Sequence, residues 1–134
     1  MLWAIFRGEK VQVYKHNNSF WPEGLGFTAE DANGKPGKYF YAGHQFGIEK
    51  WETMTGKRVE TLNMDTLIND GQHHWVHNYI YAPELNSSFF SDGNFVYRFD
   101  HSSNILTKEF VAISNIQKLK YNKAQKILAL ARLF

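Results

Sequence analysis

The chain has 134 residues, 15 basic and 13 acidic, for a net charge of +2, with no cysteine and an aromatic share of 16%. Near balance of charge argues against a general nucleic-acid footprint, and the lack of cysteine removes disulfides, thiolate nucleophiles and cysteine-type zinc sites. So many aromatic side chains favour pleated, half-buried surfaces over a helical bundle.

At the start, Met1-Leu2-Trp3-Ala4-Ile5-Phe6 followed by Arg7 is too short for the apolar core of a signal peptide and lacks a basic beginning. No apolar run reaches the roughly 18 residues of a membrane span. A soluble, cytoplasmic protein is expected, without membrane or nucleic-acid partners. Gly8-Glu9-Lys10-Val11-Gln12-Val13-Tyr14 reads as a strand that runs into the turn His16-Asn17-Asn18. Trp21-Pro22-Glu23-Gly24-Leu25-Gly26 and Glu30-Asp31-Ala32-Asn33-Gly34-Lys35-Pro36-Gly37 are dense in turn formers, the second being a surface hairpin tip. Gly24-Leu25-Gly26 lacks the third glycine and the Lys-Ser/Thr of a nucleotide loop.

Further on, His44 to Leu62 carries Trp51-Glu52 and then a Thr55-Gly56 turn. Gly71 to Asp100 repeats this layout more fully. A Gly71/His73 corner precedes Trp75-Val76 and a strand ending at Tyr81-Ala82-Pro83. After a short loop come Phe89-Phe90-Ser91, an Asp92-Gly93 turn, a strand ending at Phe99-Asp100 and a Ser103-Asn104 turn. Strand, Gly- or Asn-containing turn, strand is the pattern of an antiparallel hairpin, since these residues tolerate positive φ. The aromatic anchors Tyr14, Trp51 and Phe99 lie 37 and 48 residues apart.

This layout resembles the WD40 repeat, whose period is roughly 40–45 residues, in about three degenerate copies. The resemblance implies an all-β, antiparallel fold of β-propeller blades in a single domain spanning residues 1–134. It also implies a hydrogen-bonded set in each blade: a corner His, a Ser on the second strand, an Asp in the turn and a Trp on the third strand. His73 (or His74), Ser91 and Asp92 fill three of these places, while Phe99 takes the fourth without an N–H to donate. In the preceding copy Trp51 holds the Trp position, but no Asp-Gly turn precedes it. A propeller closes with about four to eight blades, so this chain makes a partial ring. A second copy could complete it, as a homodimer of six blades. A small β-sandwich or barrel with a C-terminal helix is the alternative fold.

Near the end, residues 115–122 read as the first strand of another blade and Lys126–Ala131 as its second. A helix competes for the same segment, because Ile127, Leu130, Ala131 and Phe134 share one helical face. With Lys118, Lys120, Lys123, Lys126 and Arg132 it would be a basic amphipathic helix touching a membrane or partner.

WD40 resemblance implies a non-catalytic protein–protein interaction module or scaffold with a protein partner and no cofactor. Trp75, His77 and Arg98 are its candidate contact residues, since aromatic side chains and arginine dominate such surfaces. Trp75 could instead be ordinary core. A small binding protein of the immunity type, which neutralises a partner, is one alternative. The other is a metal hydrolase or nuclease using His73, His74 or His77 with Asp70 or Glu84. No glutamate stands between the histidines as a metalloprotease helix requires, so no catalytic or metal residue is assigned.

Overall fold

Short runs of β-formers separated by Gly, Asn and Asp turns make the chain all-β and antiparallel. The computed structural model describes residues 2–7, 10–15, 20–29, 37–112, 116–122 and 127–132. β1 (Leu2–Arg7) and β2 (Lys10–Lys15) form a two-stranded sheet. β3 (Pro22–Phe27), β4 (Tyr39–His44), β5 (Gly47–Glu52) and β6 (Arg58–Asn63) form a four-stranded meander in chain order. β7 (His77–Ala82), β8 (Ser87–Asp92), β9 (Phe95–Asp100) and β10 (Ile105–Val111) form a second. β11 (Ile116–Asn122) and β12 (Ile127–Arg132) pair as a final two-stranded sheet. Among the described residues the one α-helix is the short α1 (Met64–Ile68), and none is long and apolar enough to cross a membrane.

The two meanders repeat one layout. β4 and β8 begin 48 positions apart, as do β5 and β9. Trp51 and Phe99 therefore occupy the same place on the third strand. The turns that follow also coincide: Gly56 N–H donates to Glu52 O at 3.0 Å and Asn104 N–H to Asp100 O at 2.8 Å. Both turn residues are left-handed, at φ 72° and 58°, where Gly and Asn are the residues of least strain. The Gly8-Glu9 link, the His16-Asn17-Asn18 turn and the tip at 30–36 lie outside the described residues.

Side chains follow the same repeat, because alternate residues of a strand face opposite sides. Tyr41 and Ile48 join Tyr79, Tyr81, Phe90, Tyr97 and Phe99 in the core between the two meanders. Phe40, Ala42 and Trp51, with Phe27, pack on the other face of β3–β6. On the far face of β7–β10, Val96 and Ile80 pack against Ile116 and Leu119 of β11. Ile48 and Val96, again 48 apart, thus each face the sheet that comes next in the chain. β8 is covered on both sides, which explains why Ser87 through Ser91 are all buried.

Among the described residues of the C-terminal segment, Ile127–Arg132 is strand, not helix. β12 pairs with β11 from Asn122↔Ile127 to Ile116↔Arg132, giving it a backbone partner. Ile116 and Leu119 of β11 in turn pack on the adjacent sheet. Long-range pairing here overrides a favourable helical spacing, and the alternative of a C-terminal helix is set aside.

Close contact between the meanders depends on glycine. Gly24 of β3 pairs with Gly43 of β4, and a Cβ built on Gly43 would lie 2.3 Å from the Tyr79 ring. One on Gly26 would lie 2.9 Å from Tyr81 Cβ. The two tyrosines of β7 thus rest on bare backbone. Gly43→Ala should lower the unfolding free energy by about 1–3 kcal/mol, the usual cost of overpacking a core. Urea denaturation checks this, with an unchanged midpoint showing that the sheets are not in contact there.

Candidate functional site

The first strands of three successive sheets, β3, β7 and β11, lie side by side, with β7 contacting both others. Each is irregular at its start. The ladder shifts register between Pro22 and Gly24, between His77 and Ile80, and between Ile116 and Lys118. Bulges of this kind re-aim side chains and favour functional edges. The second residue of each strand, Glu23, Asn78 and Gln117, lines one cavity of about 370 Å³ together with His77, Ser91, Gly93 and Ile116. Asn78 sits at φ 54°. Its Nδ2 donates to Ser91 Oγ at 2.9 Å and to Ile116 O at 3.3 Å, tying β7 to β8 and β11.

A second cavity of about 330 Å³ adjoins the first through Glu23 and His77, and is also lined by Trp21, Gln45 and Trp75. Trp21 is 71% exposed and Trp75 43%. Gln45 in the β4–β5 turn ties together the segments that carry the two indoles: its N–H donates to Trp21 O, Trp21 N–H donates to its Oε1, and the N–H of Val76, next to Trp75, donates to its carbonyl. Trp75 also packs on Phe46 and edge-on to His73. Glu23 Oε1 lies 3.4 Å from His77 Nδ1, with the Glu23 side chain 18% exposed.

Beside the groove, α1 and the loop after it build a carboxylate–histidine cluster. Asn63 caps α1 by accepting from Thr66 N–H, and left-handed Asn69 ends it. Asp65 accepts from the His74 N–H at 2.6 Å and meets His73 Nδ1 at 2.7 Å. The His74 ring, 10% exposed, has both nitrogens engaged, Nδ1 by Asp92 at 2.6 Å and Nε2 by Asp70 at 2.8 Å. It is held as a bridge between the loop and the end of β8, with neither nitrogen available to act as base or ligand.

The sequence-derived residues are divided by these contacts. Of the two corner candidates, His74 reaches Asp92, while His73 turns to Asp65. Ser91 does not join that pair but accepts from Asn78 and donates to His77 O. Phe99 is buried edge-on against His101 and Trp51 is buried beside Phe40. Trp75 and His77 share the groove, and at 43% exposure Trp75 is not core. Arg98 lies elsewhere: its Nε donates to Ser87 Oγ, at the opposite end of β8 from Ser91. The strand after the Gly71/His73 corner starts only at His77, and its bulge leaves His77 exposed while Tyr79 and Tyr81 are buried. Glu84, set against the histidines as a carboxylate partner, lies in the 3-10 turn Pro83–Leu85 beyond the far end of β7. Sequence reasoning missed Trp21, Glu23, Gln45, Asn78 and Gln117. Nothing short of the register shifts marks their shared position.

Another histidine, the half-buried His101, meets a hydroxyl chain in place of carboxylates. Tyr79 Oη lies 2.6 Å from Ser88 Oγ, which lies 2.7 Å from His101 Nε2. The His101 ring stacks on Tyr41. Burial, reinforced by Lys50, pulls the His101 pKa down to about 4. His74 moves the other way: burial pulls its pKa down, but hydrogen bonds to Asp92 and Asp70, with their charges, outweigh this and raise it. Asp65 is held below the usual carboxylate range by the His74 N–H and by His73. Asp70 is held low by the His74 ring and by Gln72 N–H.

These opposed shifts set a stability maximum. A histidine raised on folding contributes stability that is complete below its unfolded pKa and lost as pH rises through its folded one, whereas His101, depressed, loses stability as pH falls below its unfolded value. Thermal stability should peak near the ordinary imidazole value of 6.5 and decline to either side. Melting curves across pH check this. His74→Gln should flatten the alkaline limb and His101→Gln the acid limb between that value and about 4. Equal slopes in both variants and the parent would refute the assignment.

Among the described residues no three His, Asp or Glu side chains converge as a metal site. Comparison of the chain with family models and with curated proteins gives no match.

Proposed function

We propose that the protein is a non-catalytic interaction module of WD40-like β-propeller type, which receives a protein partner in the groove between Trp21 and Trp75. The observation that carries this reading is the groove itself, at the starts of three adjacent first strands, with two exposed indoles at its rim. An indole combines large contact area with only two rotatable side-chain bonds, and such residues dominate interface energetics. The in-order meanders, the recurrence at 48 residues and the His74–Asp92 bond support propeller-type blades. Engagement of both His74 nitrogens by carboxylates favours a structural over a catalytic role for that side chain.

β1–β2 and β11–β12 are each half as wide as the meanders. Together they have the strands of one further sheet, so β11–β12 of one copy joined to β1–β2 of another closes a six-sheet ring. Pairing would cover strand edges that otherwise invite aggregation.

Peptides selected from a random display library against the protein should bind Trp21→Ala about thirtyfold more weakly, the effect of truncating a central tryptophan. Equal binding to the variant would overturn the groove as the contact face. Light scattering should give the mass of two chains, and a stable monomer would rule out ring closure between copies.

A further inference from the structure

Glu23 is the sole acidic residue lining either cavity, and no lysine or arginine lines them among the described residues. Its side chain is 18% exposed and lines both cavities, and the one hydrogen-bond partner found for it there is His77 Nδ1, at the long distance of 3.4 Å. A carboxylate so placed has no short charge-assisted donor and is open to a cationic one. Around it stand the oxygen-bearing side chains Asn78 and Gln117 and, at the rim, the Trp21 and Trp75 indoles. The face of an indole attracts a cation, most strongly where water is excluded.

From this conjunction we infer that the groove is a receptor for a protonated side chain, a guanidinium or alkylammonium group presented by the partner polypeptide. The cation sits beside the Glu23 carboxylate in place of the His77 contact, with Trp21 and Trp75 against its flanks. A neutral polar ligand such as a sugar could stack on the same indoles but would leave the charge of Glu23 uncompensated. The chain's own net charge of +2 makes the acidic lining a local feature and not a consequence of overall composition.

This inference rests on the interaction-module reading, and the following experiment separates the two. Indole N–H resonances of Trp21 and Trp75 are followed by NMR during titration with acetyl-arginine methylamide, acetyl-lysine methylamide and the uncharged isostere acetyl-citrulline methylamide. Both cationic amides should bind about tenfold more tightly than the citrulline compound. Glu23→Gln should bring them to its level while leaving the remaining spectrum in place. Trp21→Ala, which removes an exposed side chain, should weaken the cationic amides as well. Equal binding of the citrulline amide, or an undiminished preference in Glu23→Gln, overturns the cation assignment. The module reading then still stands if library peptides lose affinity on Trp21→Ala. Absence of any shift with the cationic amides, or shifts with methyl glucoside in their place, also overturns it.

Discussion

The packing of the two four-stranded sheets depends on the contact of Tyr79 and Tyr81 with the glycines of the preceding sheet. β7 can lie this close to β3 and β4 because Gly24, Gly26 and Gly43 present backbone where any Cβ would collide with a tyrosine. That approach brings Tyr41 within 4.9 Å of Tyr81 and 3.7 Å of His101, ring centre to ring centre. It also buries Tyr79 and Ser88, leaving His101 at the half-buried end of their hydrogen-bonded chain. Polar atoms placed so deeply need partners, and each of these three has one.

The same approach creates the groove. Were the first strands regular, the pleat would turn Glu23, Asn78 and Gln117 by simple alternation, each according to its own ladder. A register shift at the head of all three strands instead releases their second residues from the ladder. Asn78 accepts a left-handed backbone and returns two hydrogen bonds to neighbouring strands. Polar side chains from three sheets thereby meet at one end of the molecule. The two tryptophans are carried there by the segments leading into β3 and β7, both bonded to Gln45.

Electrostatics divides the neighbourhood into two parts with different roles. The cluster of Asp65, Asp70 and Asp92 is already compensated by His73, His74 and backbone N–H groups, so it braces α1 against the β8–β9 turn. Glu23 has far weaker compensation and faces a cavity. Acidic residues close in space thus have distinct consequences, set by how many donors each one meets.

Much of the strand architecture was legible in the chain itself. The hairpin turn at Asp92-Gly93, which the structure places one residue on between Asp92 and Phe95, the turns at Gly56 and Asn104, and the equivalence of Trp51 with Phe99 follow from local rules: alternation along a strand and the tolerance of Gly and Asn for positive φ. Helix α1 escaped notice because five residues are too few to show a period. The C-terminal segment stayed ambiguous because its spacing suits a helix, and only pairing with β11 decided it. Trp75 and His77 could be nominated from residue type, but Arg98 shares no surface with them, since position along a strand says nothing of which end of the sheet a partner strand brings near. By itself the sequence determined the all-β character, several turns and the approximate repeat, products of neighbouring residues, while Pro22–Phe27, dense in turn formers, is strand β3 only through its pairing with β4. Only the tertiary structure decided which histidine meets Asp92, which glycines admit Tyr79, and that Glu23, Asn78 and Gln117 share one cavity. Those facts depend on register and on contacts between residues far apart in the chain, which no local pattern encodes.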